Sequence, residues 1–299
     1  MRKTIVTDKE KLKRIIETTG MTRSELAKML EVGYKTVYRW LDQDRVPHPA
    51  VSRRIDELFK EHVDLREFVV KLKDALGDPI KLLKENLQLQ KKFFLEMTYN
   101  SNAIEGSRMT RKETEAAING EKVRGKEIFE ILEAVNHDNA LKFMMETIKP
   151  NFRINEEYVL KLHSLVMYNF NDKLPGRYRT GFVNVTNTEK RLPSAQEVPV
   201  KMKKFVAGVN KYGRDVIGKV ASDHYEFESV HPFFDGNGRV GRLILITQLL
   251  SKGYPPVIIQ VEDRYKYYLA LGKGDMGEFG NMVQMISDSI LKGYNLLIT

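Results

Sequence analysis

The stretch "VGRLILITQLLSKG", residues 240–253, carries apolar side chains on every face of a 3.6-residue helix. A helix of that kind must be covered on all sides. Its most apolar part, "LILITQLL", is far too short to cross a bilayer. The chain is therefore expected to be a soluble protein that wraps other helices around this one. With 299 residues and 42% hydrophobic content it can build that core and a second, smaller domain.

Periodicity predicts the wrapping helices. Leu83, Leu87, Phe94 and Met97 mark one stripe, and "GKEIFEILEAVNHDNALKFMMETI" reads as a long amphipathic helix. "NEEYVLKLHSLVMYNF" is another, capped by Asn155, and "PVKMKKFVAGVNKY" and "ASDHYEFESV" follow. The one β signal is "FVNVTNTEKRL", two short runs around a polar turn, which reads as a hairpin. The expected class is all-α, with that hairpin as an excursion.

The basic excess sits at the N-terminus. Residues 1–60 hold 14 Lys/Arg against 9 Asp/Glu, so +5 of the net +9 lies there. That suits a nucleic-acid partner, or a solvated basic face. In "TRSELAKMLEVGYKTVYRWLD", Thr22 and Glu25 form a capping box. Leu26, Met29 and Leu30 make an apolar face, and a second helix turns Val37, Trp40 and Leu41 inward. The pattern resembles a helix-turn-helix, with Glu31 at the turn and Gly33 as a weaker cap. Tyr34, Lys35, Tyr38 and Arg39 would then face base edges and phosphates of DNA. The alternative is a helical module that docks on protein. Pro47 and Pro49 are expected to end the second helix, and "AVSRRIDELFKEHV" to close the module. Residues 1–63 form this domain, the charged stretch 64–80 a linker or hinge, and 81–299 the large domain.

The chain has no cysteine, which excludes disulfides and thiolate chemistry and fits a reducing cytoplasm. "MRKTIVTDKEKLKR" lacks the apolar run of a signal peptide. A cytoplasmic location is the expectation.

Three stretches could hold phosphate. "GRDVIGKV" (213–220) matches a P-loop except that Val220 replaces the metal-binding hydroxyl, and no strand precedes it. Gly236, Gly238 and Gly241 spell G-x-G-x-x-G, followed by a helix and the strand-like "PPVIIQVED". A Rossmann turn, however, needs a hydrophobic strand before the first glycine, and "SDHYEFESVHPFFD" is none. The third reading takes "HPFFDGNGRVGR" (231–242) whole. Gly236 and Gly238 bare the backbone for an anion, beside the start of a helix. Asn237 adds a donor, and Arg239 and Arg242, three apart, face one side and clamp polyphosphate oxygens. Asp235 is a single hard ligand for Mg²⁺, and His231 can take a proton near neutral pH. Base, metal carboxylate and anion cradle describe transfer of a phosphorus centre to a hydroxyl.

These twelve residues resemble the Fic signature, H-x-F-x-[D/E]-G-N-G-R-x-x-R, at every defined position. "KLHSLVM", "LPGRYRTGFVNV" and "GDMGEFGNMV" resemble further family stretches, so the likeness covers roughly residues 80–299. It implies an all-α core with a flap hairpin, and transfer of AMP from ATP to a Ser, Thr or Tyr hydroxyl of a protein. His231 would be the general base and Asp235 would hold Mg²⁺ between the α- and β-phosphates. Gly236, Asn237 and Gly238 would bind phosphate oxygens, and Arg239 and Arg242 the outer phosphates. Phe234 would pack beneath the loop, and the hairpin would pin the target segment by strand pairing.

"SNAIEG" (101–106) fits the family's inhibitory motif, [S/T]-x-x-x-E-[G/N], with Ser101 and Glu105 at its defined positions. Within a helix around residues 95–106, Glu105 would pair with Arg242 where the γ-phosphate belongs. Removal of AMP, transfer of phosphocholine or phosphate, and a DNA-binding regulator that senses nucleotide are the alternatives. A homodimer is compatible with the resemblance. The target protein is not named by the sequence.

Overall fold

The computed structural model describes residues 6–73, 77–170, 174–184 and 191–298. Among them the regular structure is entirely helical. Six helices come first: α1 (Asp8–Thr19), α2 (Arg23–Met29), α3 (Tyr34–Asp42), α4 (Pro49–His62), α5 (Arg66–Lys73) and α6 (Pro79–Glu85). The large domain continues with α7 (Leu87–Ile104), α8 (Arg111–Ile118), α9 (Ile128–Thr147), α10 (Glu156–Val166) and α11 (Val198–Val209). It ends with α12 (Val216–Val230), α13 (Asn237–Ser251), α14 (Arg264–Gly274) and α15 (Gly280–Ile298).

Every residue of α13 from Arg239 to Ser251 is buried, as its all-round apolarity requires. Helices α7, α9, α10 and α12 surround it. Each fully buried Leu or Ile on it contributes roughly 1.5–3 kcal/mol of transfer free energy, so the helix is held rigid. That matters because its first turn carries the signature residues. Two polar contacts tie the shell to it: Tyr158 and Thr247 share a 2.7 Å hydrogen bond, and Gln248 Nε2 donates to Asp223 at 2.8 Å.

The N-terminal module has its own core of Leu12, Ile15, Leu26, Leu30, Val37, Trp40, Leu41, Ile55 and Phe59. Its turn follows the predicted chemistry. Thr22 and Glu25 form the capping box, Glu31 takes a left-handed φ of 55°, and Gly33 caps α3 without a side-chain bond. Met29, predicted to face inward, is 40% exposed. Helix α3 ends at Asp42, before either proline, because Asp44 turns left-handed, and Pro49 instead opens α4. Helix α1 was not foreseen, although its Thr7–Glu10 capping box is written in the sequence. It packs along α4.

The predicted linker is not extended chain. Within 64–80, α5 buries Val69 in the core of the large domain and packs on α15. Gln284 of α15 clasps the junction: its Nε2 donates to the Lys60 and Val63 carbonyls at 2.7 Å each. Lys60 pairs with Asp288 at 3.0 Å. The stripe through Leu83 and Leu87 is broken at Asn86, which ends α6 and caps α7, so Leu87 is left 64% exposed. "PPVIIQVED" forms no strand and ends in a short 3-10 turn, Val261–Asp263. Of the predicted hairpin, Phe182–Asn184 and Arg191–Leu192 carry no strand, and 185–190 lie outside the described residues.

Candidate active site

Helix α12 ends at Val230, and His231 caps it in a left-handed conformation, φ 48° and ψ 62°. A glycine usually stands at such a position, since an L side chain there costs roughly 1–2 kcal/mol. The sharp turn starts the loop that leads into α13. Burial pushes the His231 imidazole below the ordinary histidine value, against a hydrogen bond with the Glu228 backbone that favours the charged form. The ring is therefore neutral at pH 7 and free to accept a proton.

The loop is held by its own residues. Asn237 is buried; its Oδ1 accepts from the Phe233 N–H and its Nδ2 donates to the Phe233 carbonyl, both at 2.9 Å. Phe233 is fully buried and stacks on His163 with ring centroids 3.6 Å apart. His163 Nδ1 accepts from the Gly176 N–H at 3.0 Å. The proton must then sit on Nε2, which donates to the Asp235 carbonyl at 3.1 Å. Burial pulls His163 down to about 4, so this neutral tautomer persists at physiological pH. Gly236 has φ 78°, and a Cβ there would meet Met167 Sδ at 3.0 Å.

The two arginines diverge from the first turn of α13. Arg239 donates to Glu133 of α9 at 2.9 Å and to Asp235 at 3.1 Å. Arg242 turns to α7, donating from Nε to Ser101 Oγ at 2.9 Å and from Nη2 to the Ser101 carbonyl at 2.8 Å. The same Nη2 pairs with Glu105 Oε1 at 2.8 Å. A Cβ on Gly238 would fall on that Glu105 carboxylate. The carboxylate therefore lies against the bare first turn of α13, where backbone N–H groups lack helical acceptors. Arg242 Nη1 is buried without a hydrogen-bond partner among the described residues. Anion chemistry at this spot is what the architecture provides, and at present a glutamate supplies it.

Residues 153–249 match the model of the Fic/DOC family. The chain belongs to the Fic family. It is 31% identical over 202 residues to a protein adenylyltransferase Fic of Nematostella vectensis, covering 66% of this chain and 47% of that one. A protein of the same name from Culex quinquefasciatus is 31% identical over 235 residues, 76% of this chain and 47% of that one. The chain thus spans about half the length of the curated relatives it matches. A solved structure of C. elegans Fic-1 superposes with a TM-score of 0.68 at 26% identity, covering 95% of this chain and 86% of that one.

Within this Fic domain the structure corrects three of the sequence expectations. Ser101, Glu105, His231, Asp235, Gly236, Gly238, Arg239 and Arg242 surround one site. Asn237 is not a free donor, because the Phe233 backbone uses both of its polar atoms. The packing aromatic is Phe233, while Phe234 is 41% exposed. Arg239 and Arg242 do not face one side; each reaches a different helix. Sequence reasoning missed Glu133, His163 and Arg179, whose partners lie tens to more than a hundred residues away. Tyr34, Lys35, Tyr38 and Arg39 are all exposed on α3, far from this site in the chain.

The Asp235 carboxylate is mostly exposed at the loop, with Oδ1 engaged by the Gly236 N–H and Arg239. Among the described residues no cluster of three or more His, Cys, Asp or Glu side chains could hold a metal. A single exposed carboxylate is compatible with Mg²⁺ held mainly by other ligands, and could not hold the ion by itself.

Proposed function

We propose that the chain is a protein adenylyltransferase, moving AMP from ATP to a Ser, Thr or Tyr hydroxyl of another protein, and that Glu105 restrains it. The observation that carries this reading is the Glu105 carboxylate seated on Gly238 and Arg242 beside a neutral His231. A terminal phosphate bears the same charge and wants the same donors. His231 takes the proton of the target hydroxyl as its oxygen bonds to the α-phosphorus. The bond from that phosphorus to the β-phosphate oxygen breaks, and pyrophosphate leaves. Arg242, freed from Glu105, holds the outer phosphate; the N–H groups at Gly236 and Gly238 face the oxygens on which charge develops. Asp235 would hold Mg²⁺, which neutralises phosphate charge when bound. With Glu105 in place, Arg242 is occupied and the donor binds out of line, so transfer is slow.

The test uses ATP labelled at the α-phosphate and, separately, at the γ-phosphate, with Glu105→Gly chain and a cell extract. Label from the α-phosphate alone supports adenylylation. Label from the γ-phosphate alone makes the chain a phosphotransferase. Failure of both, with loss of AMP from a premodified protein in the presence of the unmutated chain, makes it an AMP-removing enzyme in which Glu105 activates water.

The N-terminal module is proposed to bind duplex DNA through α3. Tyr34, Lys35, Tyr38 and Arg39 are exposed there, above the buried Val37, Trp40 and Leu41. Arg23 lies over the Tyr38 ring at 6.0 Å and pairs with Asp42, which fixes that face. Residues 1–5 of the basic N-terminus lie outside the described residues.

A further inference from the structure

Arg179 is a buried arginine of a different kind from Arg239 and Arg242. It is 2% exposed, yet no carboxylate among the described residues pairs with it. Each nitrogen of its guanidinium donates to a main-chain carbonyl instead. Nε reaches the His231 carbonyl at 2.8 Å, Nη1 the Gly181 carbonyl at 3.0 Å and Nη2 the Pro193 carbonyl at 2.6 Å. Its own N–H donates to the Pro232 carbonyl at 2.9 Å. Three chain segments therefore meet on one side chain: the turn that carries the base, and the two sides of the segment 181–193.

We infer that Arg179 is a positioning residue, whose planar fork sets the backbone of His231 in register with both ends of the 181–193 segment. The inference rests on the transferase reading of His231. Three facts support it. His231 is held at φ 48°, a conformation that costs energy for a side chain with a Cβ, and Arg179 fastens both its carbonyl and the next one. Gly181 and Pro193 flank the stretch predicted to receive the target segment, so whatever docks there is referred to the base through one rigid plane. Finally, a buried cation whose partners among the described residues are all main-chain carbonyls is an expensive way to fill space. Only a guanidinium offers donors in a fixed fork, which a lysine's point charge does not.

The step affected is the approach of the target oxygen to the α-phosphorus with His231 poised at its proton. A misplacement of about 1 Å costs on the order of 10²-fold in rate. The phosphate donors on α13 are untouched, so ATP affinity is not involved.

The experiment places Arg179→Met and Arg179→Lys in the full Glu105→Gly chain. The inference expects kcat to fall on the order of 10²-fold in both, with the Kd for ATP within about threefold of the parent by the same orientation argument. Lysine keeps the charge but loses the fork, so it should not rescue. Transfer by Arg179→Met at the parent rate overturns the inference. So does rescue by Arg179→Lys to the parent rate, which would make charge the requirement. So does loss of ATP binding in step with transfer, which would mean general disorder. A second readout is independent of the transferase reading: hydrogen exchange at the amides of His231 and Phe233 should speed up in both variants of the unmutated-Glu105 chain. If the Glu105→Gly parent transfers nothing, the function fails while this readout still decides the positioning role. Unchanged exchange overturns it.

Discussion

The two candidate sites in this chain are built in opposite ways. On α3 the candidate side chains stand outside a small core: Val37, Trp40 and Leu41 fold the helix while Tyr34, Lys35, Tyr38 and Arg39 face solvent. On α13 the candidate side chains are inside. Arg239 and Arg242 are at most 2% exposed, and each pairs with a carboxylate from another helix. An outward site separates binding from folding, so its mutants should change affinity and leave stability alone. An inward site joins them, because every charge there needs a partner whether or not a ligand is present. Glu105 is that partner for Arg242, so the proposed brake and a structural ion pair would be one object.

The largest effect expected inside is on chemistry alone. His231→Ala removes the proposed base without touching the arginines, so transfer should fall by roughly 10²- to 10⁴-fold while ATP still binds. Because burial holds His231 below the ordinary value, the neutral form dominates across pH 6.5 and above. The acid limb of the transfer rate should therefore lie below pH 6.5. A variant that labels normally, or an acid limb above 7, removes His231 from the role of base.

Next is the brake. Treated as a coupling between the Glu105 seat and the nucleotide, its release is expected to raise transfer by about 5- to 150-fold in Glu105→Gly. Arg242 keeps Ser101 but loses its ion-pair partner, so thermal stability without ATP should fall by roughly 1–3 kcal/mol. The double variant Glu105→Gly with Arg242→Ala should not be hyperactive, since the freed clamp is gone. A single variant that loses stability without gaining activity would leave a structural ion pair and no brake.

How much of this was readable follows the same inside–outside line. The burial of α13, the Thr22–Glu25 capping box and the Glu105–Arg242 pair were legible, because each rests on local spacing or on a short motif. The face of α3 was legible because an amphipathic helix sorts its own residues. What failed was the allocation of polar atoms within the loop. Nothing in "FFDGN" says that Asn237 is spent on Phe233, or which of two adjacent phenylalanines goes under, since a loop has no period to consult. Arg239 and Arg242 are three apart and were expected to cooperate, but their direction is set by Glu133 and Glu105 on different helices. Arg179 had no local signal at all. Helix α5 was missed because its charged residues hide the single inward position, Val69, that anchors it.

On the outer site a smaller and purely electrostatic effect is expected. Lys35→Ala and Arg39→Ala should each weaken binding to duplex DNA and lower the slope of log K against log salt by about 0.9 for each phosphate the variant no longer neutralises. Their melting temperatures should match the parent. No binding by the intact chain at low salt would leave the module as a protein-docking element. A large stability loss would show that this face is packed rather than free.

The smallest effect tests the inward site where no ligand is involved. Glu228, one turn before His231, lies against Gly241, and its Oε1 is buried without a hydrogen-bond partner among the described residues. Burial pushes its carboxyl up to about 8, against the pull of Arg242. The folded state therefore keeps a proton that the unfolded chain gives up near 4.5. Stability from this group is present below that value and is lost as pH rises towards 8. Glu228→Gln cannot titrate, so relative to the parent it should gain stability across the same window and then level off. With about 2–4 °C of melting temperature per kcal/mol in a domain of this size, the difference should widen by several degrees between pH 4.5 and 8. A difference that stays constant over that range would mean that Glu228 is ionised in the fold and already paired with Arg242. In that case Arg242 would not depend on Glu105 alone, and removing Glu105 would cost the inward site less.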